Sequence, residues 1–151
     1  MGIPAYLLPA AINAIIAQRL IRRLCNHCKK PVKPEELRPE LQASVKKAIS
    51  RTSRQELQDR VGMEKLQAPV FYEPVGCEKC GQTGYSGRVG IYEIMEIIPQ
   101  IKESIIRGDS SVLINELAIS QGMISLEQDG IIKALNGLTS LEEVYAAAKE
   151  N

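Results

Sequence analysis

Four cysteines in two closely spaced pairs constrain this chain more than any other feature. The pairs are Cys25-Asn26-His27-Cys28 and Cys77-Glu78-Lys79-Cys80, each with two residues between its sulfurs. This spacing lets one tight turn present two thiolates to one ion, and two such turns complete the tetrahedral shell typical of structural zinc. Because four thiolates fill that shell, His27 is expected to be a bystander. The expected ligands of a structural Zn²⁺ ion are Cys25, Cys28, Cys77 and Cys80.

Disulfides and redox-active thiols are the alternatives to a zinc site. The first residues, Met1-Gly2-Ile3-Pro4, carry no basic segment ahead of an apolar stretch, so no signal peptide is predicted, and a cytosolic setting disfavours disulfides. A thioredoxin-like pair would need different flanking residues and would leave the second pair unexplained. The 48 residues between the pairs exceed the roughly 15–20 of common four-cysteine sites. An insertion is therefore expected between the two metal-binding turns.

The composition is that of an ordinary globular chain, but its charge is uneven. The 151 residues are 44% apolar and 25% charged, which disfavours disorder. The longest apolar run, residues 7–17, is shorter than the roughly 20 residues of a membrane span. Residues 1–65 hold 13 of the 19 Lys and Arg and 6 of the 18 Asp and Glu, giving +7, whereas residues 66–151 carry −6. The basic half suits nucleic acid, anionic lipid or an acidic protein surface, and charge alone does not choose among them.

Local patterns before the second cysteine pair predict short helices and an extended segment. We expect a helix over residues 4–13, two amphipathic helices between residues 33 and 66 that end near Gly62, and an extended approach at residues 71–75. For residues 14–24 the periodicity fits a helix or a strand.

The second half is predicted to be a glycine-rich turn, a strand and several helices. The glycine-rich residues 81–90 lack any Gly-Lys-Ser/Thr, so turn formation around a metal is expected there rather than a phosphate cradle. A strand from Val89 to Ile97 is closed by Pro99. Helices then end at Gly108 and near Gly122. Two more begin with capping boxes, and the first of these turns an apolar face inward before a Gly137 cap. The boxes pair Ser125 with Gln128 and Thr139 with Glu142, and the inward residues are Leu126, Ile131, Ile132 and Leu135.

No catalytic residue is predicted in the chain itself. Its sole histidine, His27, lies inside a cysteine pair, and a zinc ion with four thiolates has no open position for water. The carboxylate pairs Glu35-Glu36 and Glu142-Glu143 stand at predicted helix starts, where acids complement the helix dipole.

These features together resemble the C-terminal part of the assembly ATPases of type II secretion and type IV pilus systems. The matching segments run in the family's order and span nearly the whole chain, with residues 33–70 the least matched. They are Met1-Gly2-Ile3, residues 16–25 (IAQRLIRRLC), Cys77-Glu78-Lys79-Cys80, residues 83–93 (TGYSGRVGIYE), Gly122-Met123, Leu126, Asp129-Gly130, Lys133, Gly137-Leu138-Thr139 and Glu142-Glu143-Val144.

The resemblance implies an α+β fold in which an edge hairpin of a RecA-like sheet carries an inserted four-cysteine zinc module and is followed by a small helical bundle. Residues 15–24 are then a strand, paired antiparallel with the strand that contains residues 87–93. The implied parts are residues 1–24 as the end of the motor domain, 25–85 as the zinc insertion with two helices, 86–97 as the returning strand and 98–151 as the helical extension. Residues 101–108 are similar to a helix that related retraction motors use in force generation.

The resemblance also implies a function. Such motors are cytoplasmic hexamers, peripheral at the inner membrane, that hydrolyse ATP with Mg²⁺ to move a platform protein. Their partners are the other motor subunits, the platform and membrane-recruitment proteins. The phosphate-binding loop and catalytic glutamate of the family do not match any part of this chain, and Met1 falls at a position that is internal in the family. We expect that the chain alone neither binds ATP tightly nor hydrolyses it, and that it does not bind nucleic acid.

Two other zinc proteins share parts of the pattern. A free-standing zinc ribbon that binds nucleic acid would explain two cysteine turns and basic residues, but not the acidic helical tail. A chaperone-type zinc domain also uses Cys-x-x-Cys-Gly-x-Thr-Gly, but repeats the motif, whereas only one pair here is followed by these glycines. One zinc ion per chain fits the secretion-type module, and two fit the chaperone type.

Overall fold

The computed structural model describes residues 11–149. Their contacts divide them into two compact units, one of residues 11–17 and 93–125 and the other of residues 18–92 and 126–149. The helix predicted for residues 4–13 lies outside the described residues except at its last three positions. In the described part, no helix is both long enough and apolar enough to span a membrane.

The described residues form four strands and seven helices. The strands are β1 (Ala14–Leu24), β2 (Lys30–Val32), β3 (Phe71–Glu73) and β4 (Tyr85–Glu96). The helices are α1 (Pro39–Arg51), α2 (Arg54–Val61), α3 (Met63–Gln67), α4 (Pro99–Arg107), α5 (Ser111–Ser120), α6 (Leu126–Leu135) and α7 (Leu141–Lys149). Single 3-10 turns lie at Pro34–Glu36 and Glu78–Cys80. The chain is therefore a mixed α/β protein, as expected.

A long two-stranded sheet pairs β1 with β4. Just beyond the strands, the Ile97 amide donates to the Asn13 carbonyl at 2.9 Å, and the Cys25 amide donates to the Gly84 carbonyl at the same distance. These two bonds join the start of each strand to the end of the other, so the pairing is antiparallel. The strand predicted for residues 15–24 is confirmed. Its periodicity is ambiguous because helix and strand patterns overlap in this segment, and a distant strand partner decides between them.

The unit of residues 18–92 and 126–149 holds the cysteines. Strands β2 and β3 pair antiparallel in the register Lys30↔Glu73, Pro31↔Tyr72 and Val32↔Phe71, and α1 to α3 fill the segment between them. The predicted pair of helices corresponds to α1 and α2, and Gly62, with φ +88°, ends α2 as expected. Strand β2 and helix α3 were not predicted, because each is too short to show a period. The largest core side chains are Leu24, Leu41, Phe71, Ile91, Ile131 and Val144.

The unit of residues 11–17 and 93–125 is a helix pair with a small apolar core. Helix α4 begins at Pro99 and ends at Gly108, whose φ of +77° is left-handed, as expected for a C-terminal glycine. Helix α5 is capped by the Ser110 hydroxyl, which accepts from the Leu113 amide. The centre of this core is Ile97, Ile101 and Ala118.

Helices α6 and α7 agree with the sequence in extent, but the predicted cap of α7 is displaced. The four residues predicted to face inward on α6 are all buried. The capping box predicted for Thr139 and Glu142 is wrong, because the Thr139 hydroxyl donates to the Arg22 carbonyl at 2.8 Å. Ser140, one residue later, accepts from the Glu143 amide at 3.4 Å and caps α7. The N-cap of α7 is therefore one residue later than predicted, because Thr139 forms a hydrogen bond with β1. The sequence around Thr139 does not reveal this distant partner.

Candidate metal centre

All four cysteine sulfurs lie within 4.8 Å of one another. The Sγ–Sγ distances are 3.9 Å for Cys25 and Cys77, 3.8 Å for Cys28 and Cys80, and 3.7 Å for Cys77 and Cys80. A tetrahedral Zn²⁺ with Zn–S bonds of about 2.3 Å requires sulfurs about 3.8 Å apart. None of the four cysteines is paired as a disulfide. The donor set and its spacing therefore fit one metal ion of the zinc type.

Two tight turns present the sulfurs. In the first, which directly follows β1, the amide of Lys29 donates to the Cys25 carbonyl at 3.1 Å. In the second, the amides of Cys80 and Gln82 both donate to the Cys77 carbonyl, at 3.1 and 2.9 Å. Each turn folds the second cysteine of its pair back toward the first. The Cys-x-x-Cys spacing thus produces the local geometry that the sequence predicted.

The small β2–β3 sheet brings the two turns together. Strand β2 begins two residues after Cys28, and β3 ends four residues before Cys77. Because Lys30 is paired with Glu73, the segment that leaves the first turn lies beside the segment that enters the second. The two ends of the insertion between the cysteine pairs are therefore adjacent. The four sulfurs can meet although 48 residues separate the two pairs in sequence.

Two glycines allow the close approach of backbone around the second turn. A Cβ atom at Gly84 would lie 2.4 Å from the Pro74 Cβ, and one at Gly76 would lie 2.7 Å from the Gln82 carbonyl oxygen. Both glycines also have positive φ, +76° at Gly84 and +111° at Gly76. Gly84, which belongs to the glycine-rich segment predicted to form turns, and Gly76, which lies outside that segment, therefore both combine a left-handed backbone with a close contact.

Burial and backbone hydrogen bonds give two of the thiols, Cys28 and Cys80, different pKa values. Burial raises the pKa of Cys80, but this is outweighed by the amides of Cys77 and Gly84, which donate to its sulfur at 3.2 Å each and lower the pKa to about 6. Burial raises the pKa of Cys28 to about 11, against the effect of the Gly76 amide. Cys80 therefore becomes a thiolate, the form that binds metal, at a lower pH than Cys28 does.

A lysine beside the first turn connects the cysteine cluster to helix α6. The Lys29 ammonium donates to the Gly137 carbonyl at 2.7 Å and lies 4.8 Å from the centre of the Tyr72 ring. Gly137 stands just beyond the C-terminus of α6, where a cation complements the helix dipole. Burial, and then the positive charges of Arg23 and Lys65, lower the pKa of Lys29.

A buried carboxylate forms a second link between the insertion and α6, and sequence reasoning missed it. Asp129 is 2% exposed, and its carboxylate accepts from Arg60 of α2, from Lys133 of α6 and, at 2.8 Å, from the Tyr92 amide of β4. Lys133 also donates to the Gly90 carbonyl at 2.7 Å. The available signal was Asp129 and Lys133 at helical i,i+4 spacing, although such pairs are usually exposed.

The structure also shows the surroundings of His27, predicted not to bind metal, and of the acidic residues predicted at helix starts. His27 is exposed and is not one of the clustered metal-binding groups. The Glu36 carboxylate accepts from the Lys33 amide at 3.0 Å, so it caps a helical turn. Glu143 forms an ion pair with Arg22 of β1 at 2.5 Å and also accepts from the Arg22 amide. Glu36 and Glu143, each at the start of a helical turn or helix, thus each have a hydrogen-bond partner.

Comparison with known proteins identifies the family of the chain. The model of the type II/IV secretion system protein family matches residues 1–146. The type IV pilus assembly ATPase PilB of Thermus thermophilus is 38% identical over 152 residues, which cover 99% of this chain and 15% of that protein. PilB of Pseudomonas aeruginosa is 39% identical, covering 99% of the chain and 23% of that protein. The type II secretion system protein E of Aeromonas hydrophila is 37% identical, covering 100% of the chain and 26% of that protein.

Proposed function

The chain belongs to the type II/IV secretion system protein family, and on that premise we propose that it is a part of an assembly ATPase whose fold is stabilised by a bound metal ion. The chain spans 15–26% of the length of these three relatives. In the full-length protein, hydrolysis of Mg²⁺-bound ATP by a hexamer would power assembly of a type IV pilus or a type II secretion pseudopilus. The observation that carries the proposal is the cluster of four cysteine sulfurs, which lie in sequence between the paired strands β1 and β4. Membership of the family gives this cluster its context.

The role proposed for zinc is structural. When bound, it supplies a cross-link among Cys25, Cys28, Cys77 and Cys80 and leaves no coordination position for substrate. The residues around it then connect the insertion to the rest of its unit. Lys29 holds the end of α6, and Arg60 holds Asp129 within α6. We propose that these contacts keep the insertion rigid, so that it can pass motion to neighbouring subunits or to the membrane platform.

ATP chemistry is assigned to other parts of the full-length protein. No Gly-Lys-Ser/Thr occurs in the 151 residues, and the clustered groups offer no open metal position. The chain is proposed to act on the cytoplasmic side of the inner membrane, held there by platform and recruitment proteins. Purified chain should release no phosphate from ATP above the buffer rate. Turnover by the purified chain would refute this assignment.

Metal content tests the structural proposal directly. Plasma mass spectrometry of the purified chain should give one zinc ion per chain, and the Cys28→Ser variant should lose it. His27→Ala is the matched control, since it changes the neighbouring residue and should retain one ion. Two ions per chain, or equal loss of zinc in both variants, would contradict the proposed ligand set.

Function is tested in the full-length protein in its host cell. Cys28→Ser should abolish pilus assembly or protein secretion while leaving the protein level within about twofold of wild type. Lys46→Ala, on the exposed face of α1, is the control and should retain assembly. Normal assembly and secretion by a cysteine variant that has lost its zinc would refute the structural role, whereas normal assembly and secretion after removal of the whole protein would refute the motor role.

A further inference from the structure

A polar cleft lies beside the first cysteine turn, and apart from Cys25 its lining residues have no role in the metal site described above. It has a volume of about 260 Å³ and is lined by residues from the end of β1, from both cysteine turns and from the start of β4. The lining residues are Arg23, Leu24, Cys25, Asn26, His27, Lys79 and Ser86. None of the lining residues is a carboxylate.

The groups in this cleft are almost all hydrogen-bond donors. Arg23 offers a planar fork of N–H groups, Lys79 an ammonium and Ser86 a hydroxyl, while Asn26 and His27 add further N–H groups. Three separate segments of the chain supply them. A cleft that combines two fixed positive charges with several neutral donors is complementary to an oxyanion with several acceptor oxygens.

The two charged donors of this cleft have no partner among the residues that the structure describes. Within residues 11–149, neither Arg23 nor Lys79 forms a side-chain hydrogen bond or an ion pair with another residue. By contrast, three other cations of this unit have partners: Arg22 binds Glu143, Lys29 binds Gly137 and Lys133 binds Asp129. Nor do Arg23 and Lys79 bind the clustered sulfurs, because the N–H donors to the Cys80 sulfur are backbone amides. Their charge is therefore available to a ligand.

We propose that this cleft binds a phosphate group, either as inorganic phosphate or as a phosphomonoester of a larger molecule. A dianionic phosphate has enough oxygens to accept from the Arg23 fork, Lys79 and Ser86 together. The volume is below the range of about 300–1,000 Å³ typical of drug-sized ligands, so one phosphate group with a small attachment fits better than a nucleotide. Phosphate binding here does not depend on the motor function of the full-length protein.

The test is a titration of the zinc-loaded 151-residue chain with inorganic phosphate at constant ionic strength, followed by ¹H–¹⁵N NMR. The amides of Asn26, His27, Lys79 and Ser86 should shift saturably with a Kd of about 1 mM or tighter. A parallel titration with glycerol 3-phosphate separates the two sources. Tighter binding of glycerol 3-phosphate indicates a phosphomonoester, and equal or weaker binding indicates free phosphate.

Variants decide whether the binding belongs to the cleft. Arg23→Ala and Lys79→Ala should each weaken phosphate binding by about tenfold, because each removes a charge-assisted hydrogen bond. Lys46→Ala/Lys47→Ala removes two exposed lysines outside the cleft and should change the Kd by less than about twofold. All three variants alter exposed side chains, and unchanged amide spectra without phosphate would show that they fold. The proposal fails if the shifts do not saturate, or if the control weakens binding as much as the cleft variants do.

Discussion

The backbone amide of Tyr92 donates to the carboxylate of Asp129 at 2.8 Å, deep enough that Asp129 is 2% exposed. The same carboxylate also accepts from Arg60 and Lys133. One side chain of α6 thus holds together the returning strand β4, the insertion helix α2 and its own helix. A buried charge with this many donors is satisfied only while all three elements are in place.

Asp129→Asn should destabilise the chain by about 3 kcal/mol, because it removes the negative charge from two partly buried cations. Urea unfolding of the zinc-loaded chain, followed by far-UV circular dichroism, measures this. Asp59→Asn, on the exposed face of α2, is the matched control and should change the unfolding free energy by less than about 0.5 kcal/mol. Equal effects of the two substitutions would show that the Asp129 contacts contribute no net stability.

The ion pair of Arg22 and Glu143 predicts a pH-dependent contribution to stability. The hydrogen bond from the Arg22 guanidinium holds the pKa of Glu143 below its ordinary value of 4.5, against the opposing effect of burial. A carboxyl whose pKa is lower in the folded chain stabilises it above the ordinary pKa, and this contribution disappears as the pH falls through the folded-state pKa.

Glu143→Gln should therefore cost about 1 kcal/mol at pH 7, and the difference from wild type should vanish in acid, below the folded-state pKa of Glu143. Thermal unfolding at a series of pH values measures the difference in stability between the two proteins. Release of zinc in acid affects both proteins, so it does not contribute to this difference. Glu142→Gln is the control, since Glu142 lies 4.0 Å from Arg38 with both side chains largely exposed. A difference between wild type and Glu143→Gln that does not change with pH would contradict this assignment.

The parts of this structure that follow from local sequence were predictable, and the parts that depend on distant partners were not. The turns at Cys25–Cys28 and Cys77–Cys80 follow from spacing, and the ends of α2 and α4 follow from Gly62 and Gly108. The contacts of Thr139 with Arg22 and of Asp129 with Arg60 join residues 117 and 69 positions apart. No local period encodes such pairs, so the cap at Ser140 and the buried carboxylate could be recognised only in the folded chain.

Two glycines of similar conformation, Gly84 just before β4 and Gly87 within it, allow the effect of backbone strain to be measured separately from that of a steric clash. Gly84 and Gly87 have φ of +76° and +78°, but of the two only Gly84 has neighbours within 4 Å of where a Cβ would stand, namely Pro74 and Val75. Gly87→Ala should cost about 1–2 kcal/mol from the left-handed backbone alone. Gly84→Ala should cost about 1–3 kcal/mol more because the new methyl group overlaps Pro74.

The same pair of substitutions should differ in zinc affinity. The Gly84 amide donates to the Cys80 sulfur at 3.2 Å, so displacement of residue 84 disturbs a metal ligand, whereas the two amides that donate to this sulfur do not include that of Gly87. Competition with a chromophoric chelator should therefore show weaker zinc binding for Gly84→Ala than for Gly87→Ala. Equal zinc affinities would mean that the Pro74 contact does not constrain the site.

At Gly130, helix propensity and core packing predict opposite effects of an alanine substitution on the stability of the chain. It lies inside α6, where alanine is ordinarily more favourable than glycine by about 1 kcal/mol. A Cβ at this position, however, would lie 2.6 Å from the Val144 Cγ1 of α7, and Val144 is 1% exposed. Because neither helix can move apart without opening the core, Gly130→Ala should destabilise the chain by about 1–3 kcal/mol.

A double-mutant cycle in urea identifies the cause of that loss. Val144→Ala alone should cost about 2 kcal/mol, since it leaves a cavity in the core. In Gly130→Ala/Val144→Ala the new methyl group at residue 130 occupies part of that cavity, so the double variant should be more stable than the sum of the single effects predicts, by about 1 kcal/mol or more. A Gly130→Ala chain more stable than wild type would show that propensity outweighs the contact. Strict additivity would show that the loss arises somewhere other than at Val144.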